Sequence, residues 1–224
     1  MERSFDLQLQ ELKDMVVLLG EITKKAVRLA AELTTGENLS VIEEIVRLEK
    51  ESDQLETELQ KRASTLMALH QPVAGDLRWL LTSMNIAHEL ERIADQCLNI
   101  VQRITESKEL LFSATLPIEL FEMTARMQEM VDDVHQAYIR QDTELAQEII
   151  GRDIFLDDLK TKITNKYFEL ITKNEVEPAL AVAYILISRH IEKIGDLAKN
   201  VAEEVFYLVH GEFIKHRKVP DIYN

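Results

Sequence analysis

Six glycines and four prolines in 224 residues leave this chain few places to turn. Stretches so thinly punctuated, with apolar residues recurring at three- and four-residue spacing, argue for long helices and against a strand-rich fold. Cysteine is scarcer still. The lone Cys97 rules out an intramolecular disulfide and suits a reducing compartment. It lies in an apolar stretch between Ala94 and Ile100, where a small buried hydrophobe is the expected role rather than a nucleophile. Basic residues are outnumbered, 26 Lys and Arg against 40 Asp and Glu, for a net charge of −14. Such a surface repels nucleic-acid phosphates and anionic lipid, which excludes broad nucleic-acid binding and favours cations or basic partners. The longest apolar run, Ala179 to Ile187, is far short of the roughly 20 residues that cross a bilayer, so no direct membrane insertion is expected. The first residues, MERSFDLQLQ, carry acids where a signal peptide needs a basic and then an apolar run, so the expected location is cytoplasmic. Lys215, His216, Arg217 and Lys218 near the other end are expected to be a solvated terminus.

What the chain does have is 46% apolar residues, enough for a substantial core. Pro72, Pro117 and Pro178 each precede an unbroken periodic segment, and a first helical turn tolerates the missing N–H. Together with turn signals at Gly36, Gly75 and Gly211, they predict six helices near 3–34, 38–70, 73–108, 116–140, 143–173 and 176–211. Each is apolar mainly on one side, as Leu12, Val16, Leu19, Ile22, Ala26, Leu29 and Leu33 show in the first. Three helices are the smallest set that buries three such faces together. Gly20, Gly151 and Gly195, inside predicted helices, mark either close helix approach or a tolerated cost of about 1 kcal/mol against alanine.

The segment ELERIADQCLNIV (Glu89 to Val101) is echoed by HIEKIGDLAKNVA (His190 to Ala202). Glu91, Ile93, Asp95 and Asn99 recur as Glu192, Ile194, Asp196 and Asn200 at a constant offset of 101. The chain is therefore an internal duplication, read as an all-α fold of two tandem, sequence-related three-helix bundles spanning 1–112 and 113–224. The Glu-x-x-x-Asp-x-x-x-Asn spacing sets three oxygen-bearing side chains on one helical face.

Acid pairs four apart carry no signal by number: seven occur, and random scatter at this acidity gives about seven. Their placement is informative. Glu91/Asp95 and Glu192/Asp196 occupy equivalent places in the third helix of each half, and Glu49/Asp53 and Asp153/Asp157 in the second, at an offset of 104. Two facing helices that each present a pair concentrate four carboxylates, at a rising penalty unless a cation sits among them. Arg92 and Lys193, one residue past Glu91 and Glu192, are turned about 100° away and are read as poor internal counter-ions. A bound metal is the alternative. All-oxygen ligation suits Mg²⁺, Ca²⁺, Mn²⁺ or ferric iron, and carboxylates also hold Zn²⁺. A solvated acidic face explains the spacing equally well.

These residues also carry a resemblance. With QPVAGDLR at Gln71 to Arg78, ERIADQCLNI at Glu91 to Ile100 and IEKIGDLAKNVAEEV at Ile191 to Val205, the doubled helical sequence resembles the PhoU family along essentially its whole length. The resemblance implies a cytoplasmic negative regulator of the phosphate-starvation response and a modulator of high-affinity phosphate uptake. Its implied partners are the ATP-binding subunit of a phosphate importer and a sensor histidine kinase. It further implies multinuclear iron or zinc clusters, with ligand roles for Glu49, Asp53, Glu91, Asp95, Asp153, Asp157, Glu192 and Asp196, supported by Asn99 and Asn200. One departure is Asp153 where the first half has Glu49, which shortens that ligand by one methylene. One-sided long helices make a homodimer the expected assembly.

An enzyme needs more than carboxylates. Ferritin-like oxidases use Glu-x-x-His pairs, and this chain has none; its nearest approach, Asp132-x-x-His135, has no counterpart in the other half. No Gly-rich phosphate loop, nucleophile elbow or Cys-x-x-Cys appears, so no catalysis is expected. A structural scaffold of amphipathic helices leaves unexplained why the duplication kept acids and Asn on one face.

Overall fold

A computed structural model describes residues 2–36 and 38–214; the basic run from Lys215 to Lys218 lies outside them. Six α-helices account for almost all of the described residues: α1 (Glu2–Thr35), α2 (Ile42–His70), α3 (Ala74–Ser113), α4 (Ile118–Arg140), α5 (Thr143–Thr172) and α6 (Pro178–His210). Among the described residues there is no strand, and a short 3₁₀ turn, Leu39–Val41, leads into α2. Asn38 caps that turn by accepting from the Ser40 backbone N–H.

The punctuation acts as its chemistry requires. Pro178 is the first residue of α6 and Pro117 the N-cap of α4, while Pro72 stands just before Val73, the N-cap of α3. Asp142 caps α5 by accepting from the Glu144 and Leu145 backbone N–H groups. Gly211 ends α6 in the left-handed region at φ +73°, with the Arg78 guanidinium packed where a Cβ would stand. α3 runs five residues beyond its expected end at 108. The backbone leaves helical geometry only at Ser107 (φ −119°, ψ 16°) and then resumes, carrying Leu111 and Phe112 onto the core.

α1, α2 and α3 pack on one another, as do α4, α5 and α6; α3 lies on α6 and α1 on α4. The two bundles therefore share one continuous core, and all seven positions expected to face it from α1 are buried. Polar pairs along the α3–α6 seam show that these helices run antiparallel: Asn85 reaches Glu204, Glu89 accepts from Asn200, and Gln96 meets His190. Cys97 is fully buried in the same core, and desolvation pushes its thiol well above the usual range. Among the described residues no helix is long and apolar enough to cross a membrane.

Candidate functional site: two acidic faces that have diverged

The second and third helices of each half bring their acids together. On the first face, Glu49 and Asp53 of α2 meet Glu91 and Asp95 of α3. Burial, then the neighbouring Asp95 and Asp53 carboxylates, push Glu49 above its ordinary range; burial, then Asp95, push Glu91 the same way, with Glu56 and Asp53 adding to the effect. Asn99 donates to Asp95 at 3.1 Å, as does Gln96. His88 Nδ1 lies 3.6 Å from Glu56 and its charge would pull Glu91 down. Among the described residues, no Lys or Arg pairs with Glu49, Asp53, Glu91 or Asp95 within 4.0 Å.

The second face is built differently. Lys160 Nζ, on α5, lies 2.8 Å from Asp157 and 3.1 Å from Glu192 of α6, tying the two helices. Lys199 Nζ lies 2.6 Å from the Asp153 carboxylate, and Lys193 Nζ 3.0 Å from Asp196. Every acid of the set thus has an ammonium. The contacts set the titration: Lys160 holds Asp157 below the usual carboxylate range, while burial pushes Asp153 and Glu192 up against the pull of Lys199 and Lys160. Asp153 is 4% exposed, and its Oδ1 has no hydrogen-bond partner.

Two expectations need correcting. Lys193 does find a carboxylate of the set, because the one-residue offset that turns it away from Glu192 sets it three residues before Asp196. Arg92 instead takes Glu89. Asn200 does not serve its own row: its amide donates across the seam to Glu89 at 3.3 Å. Lys160, Lys199 and Glu56 were the residues missed. Of these, Lys160 was legible from its position three residues past Asp157, whereas Lys199 meets Asp153 through the α5–α6 packing.

Metal fit follows from charge and donor chemistry. The four acids of the first face offer only oxygen donors, and Glu49 and Glu91 are raised by burial and then by neighbouring carboxylates, which suits a hard cation. In the second, lysines hold the carboxylates. Among the described residues no group of three or more His, Cys, Asp or Glu side chains is arranged around one ion position, so even the first face would have to draw its donors inward.

The model of the PhoU domain matches twice, over residues 16–104 and 120–205. The phosphate-specific transport system accessory protein PhoU homolog of Aquifex aeolicus is 30% identical over 218 residues, covering 96% of each chain. Homolog 1 of Thermotoga maritima is 28% identical over 96% of this chain and 90% of its own. Among solved structures, the phosphate transport system regulatory protein PhoU of Streptococcus pneumoniae has the same fold, with a TM-score of 0.85 at 23% identity, over 94% of this chain and 99% of that one.

Proposed function

Because this chain belongs to the PhoU family, we propose that it restrains the phosphate-starvation response and modulates high-affinity phosphate uptake from the cytoplasm. It does so through protein contacts with the ATP-binding subunit of the importer and with a sensor histidine kinase. The observation that carries this reading is the end-to-end match to relatives named as accessory proteins of the phosphate-specific transport system. The acidic surface supports it: a chain of charge −14 meets a basic partner surface with complementary potential, which speeds encounter. The protein acts without catalysis of its own, as a homodimer.

Cation binding belongs to this reading at the first face, where Glu49, Asp53, Glu91 and Asp95 would hold an iron, zinc, manganese, magnesium or calcium ion. Its contribution there is charge neutralisation that draws α2 and α3 together. The second face, with Asp153, Asp157, Glu192 and Asp196 already paired to lysines, does not fit a metal.

The regulatory role is tested in the host. Deleting the gene should leave phosphate-starvation genes switched on in phosphate-rich medium, with complementation restoring repression. Unchanged expression would refute it.

A further inference from the structure

We propose that Lys160 and Lys199 are built-in counter-cations that have taken the place of an exchangeable ion on the second acidic face, so that the duplicated faces now work differently. One responds to cations and the other carries its own. This rests on the cation-binding reading of the first face only for the contrast between halves; the claim about the lysines stands on its own geometry.

The two halves can be compared position by position. At the offset of 104 that relates α5 to α2, Lys160 stands where the first half has Glu56; at the offset of 101 that relates α6 to α3, Lys199 stands where it has Leu98. Each change adds positive charge to the second face. Both side chains are held: Lys160 spans Asp157 and Glu192 from two different helices, and Lys199 reaches the buried Asp153. An ammonium bridging carboxylates of two helices does the electrostatic task a divalent ion would do, but cannot dissociate. The reversed charge at Glu56 leaves the first face with five acids, Glu49, Asp53, Glu56, Glu91 and Asp95, whose basic neighbours are Lys50 beside Glu49, an exposed His88 3.6 Å from Glu56 and the His190 ring beside Asp95, with no ammonium among the described residues paired to Glu49, Asp53, Glu91 or Asp95. Repulsion of that kind is relieved by a cation from solution.

The shorter Asp153 follows from the same exchange. A long lysine side chain reaches it from α6, so the carboxylate need not extend toward a shared ion.

The experiment converts the second face into the first. The full-length protein, Glu91→Gln/Asp95→Asn, Glu192→Gln/Asp196→Asn, Lys160→Glu/Lys199→Leu, and the conversion combined with Glu91→Gln/Asp95→Asn are each equilibrated with Fe²⁺, Zn²⁺, Mn²⁺ or Ca²⁺, desalted, and assayed by elemental analysis. Glu192→Gln/Asp196→Asn should keep the parent's ion content. The conversion should bind about twice the ion of the parent, and should still bind ion when the first face is neutralised. Loss of ion from Glu192→Gln/Asp196→Asn, or no binding by the conversion in the neutralised background, would overturn the proposal. If the parent binds no ion, the first-face reading fails, and the neutralised-background conversion still decides on the lysines. Should the double conversion not fold, Lys160→Glu alone retains the Lys199–Asp153 pair; placed in the Glu91→Gln/Asp95→Asn background it should show a cation-dependent rise in melting temperature absent from that background, and no such rise would refute the inference.

Discussion

Gly20 of α1 lies against the imidazole of His135 on α4, so closely that no Cβ fits between them. The ring is 3% exposed and fixed by its Nε2–H donating to the Val17 carbonyl at 3.1 Å, so it has nowhere to retreat. Gly20→Ala should therefore destabilise the protein by about 1–3 kcal/mol, overpacking outweighing the gain in helix propensity. Gly151, in a helix interior with open space where its Cβ would stand, gives the contrast: Gly151→Ala should stabilise by up to about 1 kcal/mol. Denaturant unfolding of both variants checks the opposite signs.

The same histidine makes stability depend on pH. Burial lowers the His135 pKa, opposed by the Val17 carbonyl, Glu21 (3.3 Å from Nδ1) and Asp132, while Lys24 reinforces the lowering. The folded protein then holds His135 neutral where the unfolded chain begins to protonate, near 6.5. Its contribution is fully present above that pH and lost as pH falls below it, because the unfolded state binds more protons. His135→Gln should unfold with a shallower loss of stability between pH 7 and 5 than the parent. Equal slopes in urea melts across that range would show that His135 does not titrate on unfolding.

Helix number and the core faces were legible because proline, glycine and apolar spacing act locally: Leu12, Val16 and Leu19 needed no knowledge of partners to be assigned inward. The end of α3 was not, since no Gly or Pro marks the break at Ser107 and the chain beyond it is helical again. The acids were found because duplication doubles a pattern along the chain. One counter-ion escaped because Lys199 lies 46 residues from Asp153, a contact made by α5–α6 packing and invisible to any sequence spacing. Gly20 and Gly195 show the same limit. Each is flattened by one side chain of another helix, His135 or Leu156, whereas Gly151 faces open space, and all three look alike in sequence.

Lys199 and Glu91 should respond oppositely to neutralisation. Lys199→Met strands Asp153, whose Oδ1 already has no partner, and should cost about 1–3 kcal/mol, below the about 3–5 kcal/mol of a broken fully buried pair because Lys199 is 33% exposed. Glu91→Gln removes one of several repelling carboxylates and should stabilise by a few tenths of a kcal/mol in chelated, low-salt buffer. Urea melts in chelator give both signs, and a stabilising Lys199→Met would contradict the pairing.

Cys97 offers a probe that needs no mutation. Full burial and a raised thiol pKa leave almost no thiolate at pH 8, so a disulfide-exchange reagent in native buffer should react only through opening of the core. It belongs to the continuous core the two bundles share, so the opening that exposes it should be close to global unfolding. The labelling rate should fall far below that of the urea-unfolded chain and rise with sub-denaturing urea along the slope of the equilibrium transition. Rapid labelling in native buffer, insensitive to urea, would mean that α3 separates from the core locally.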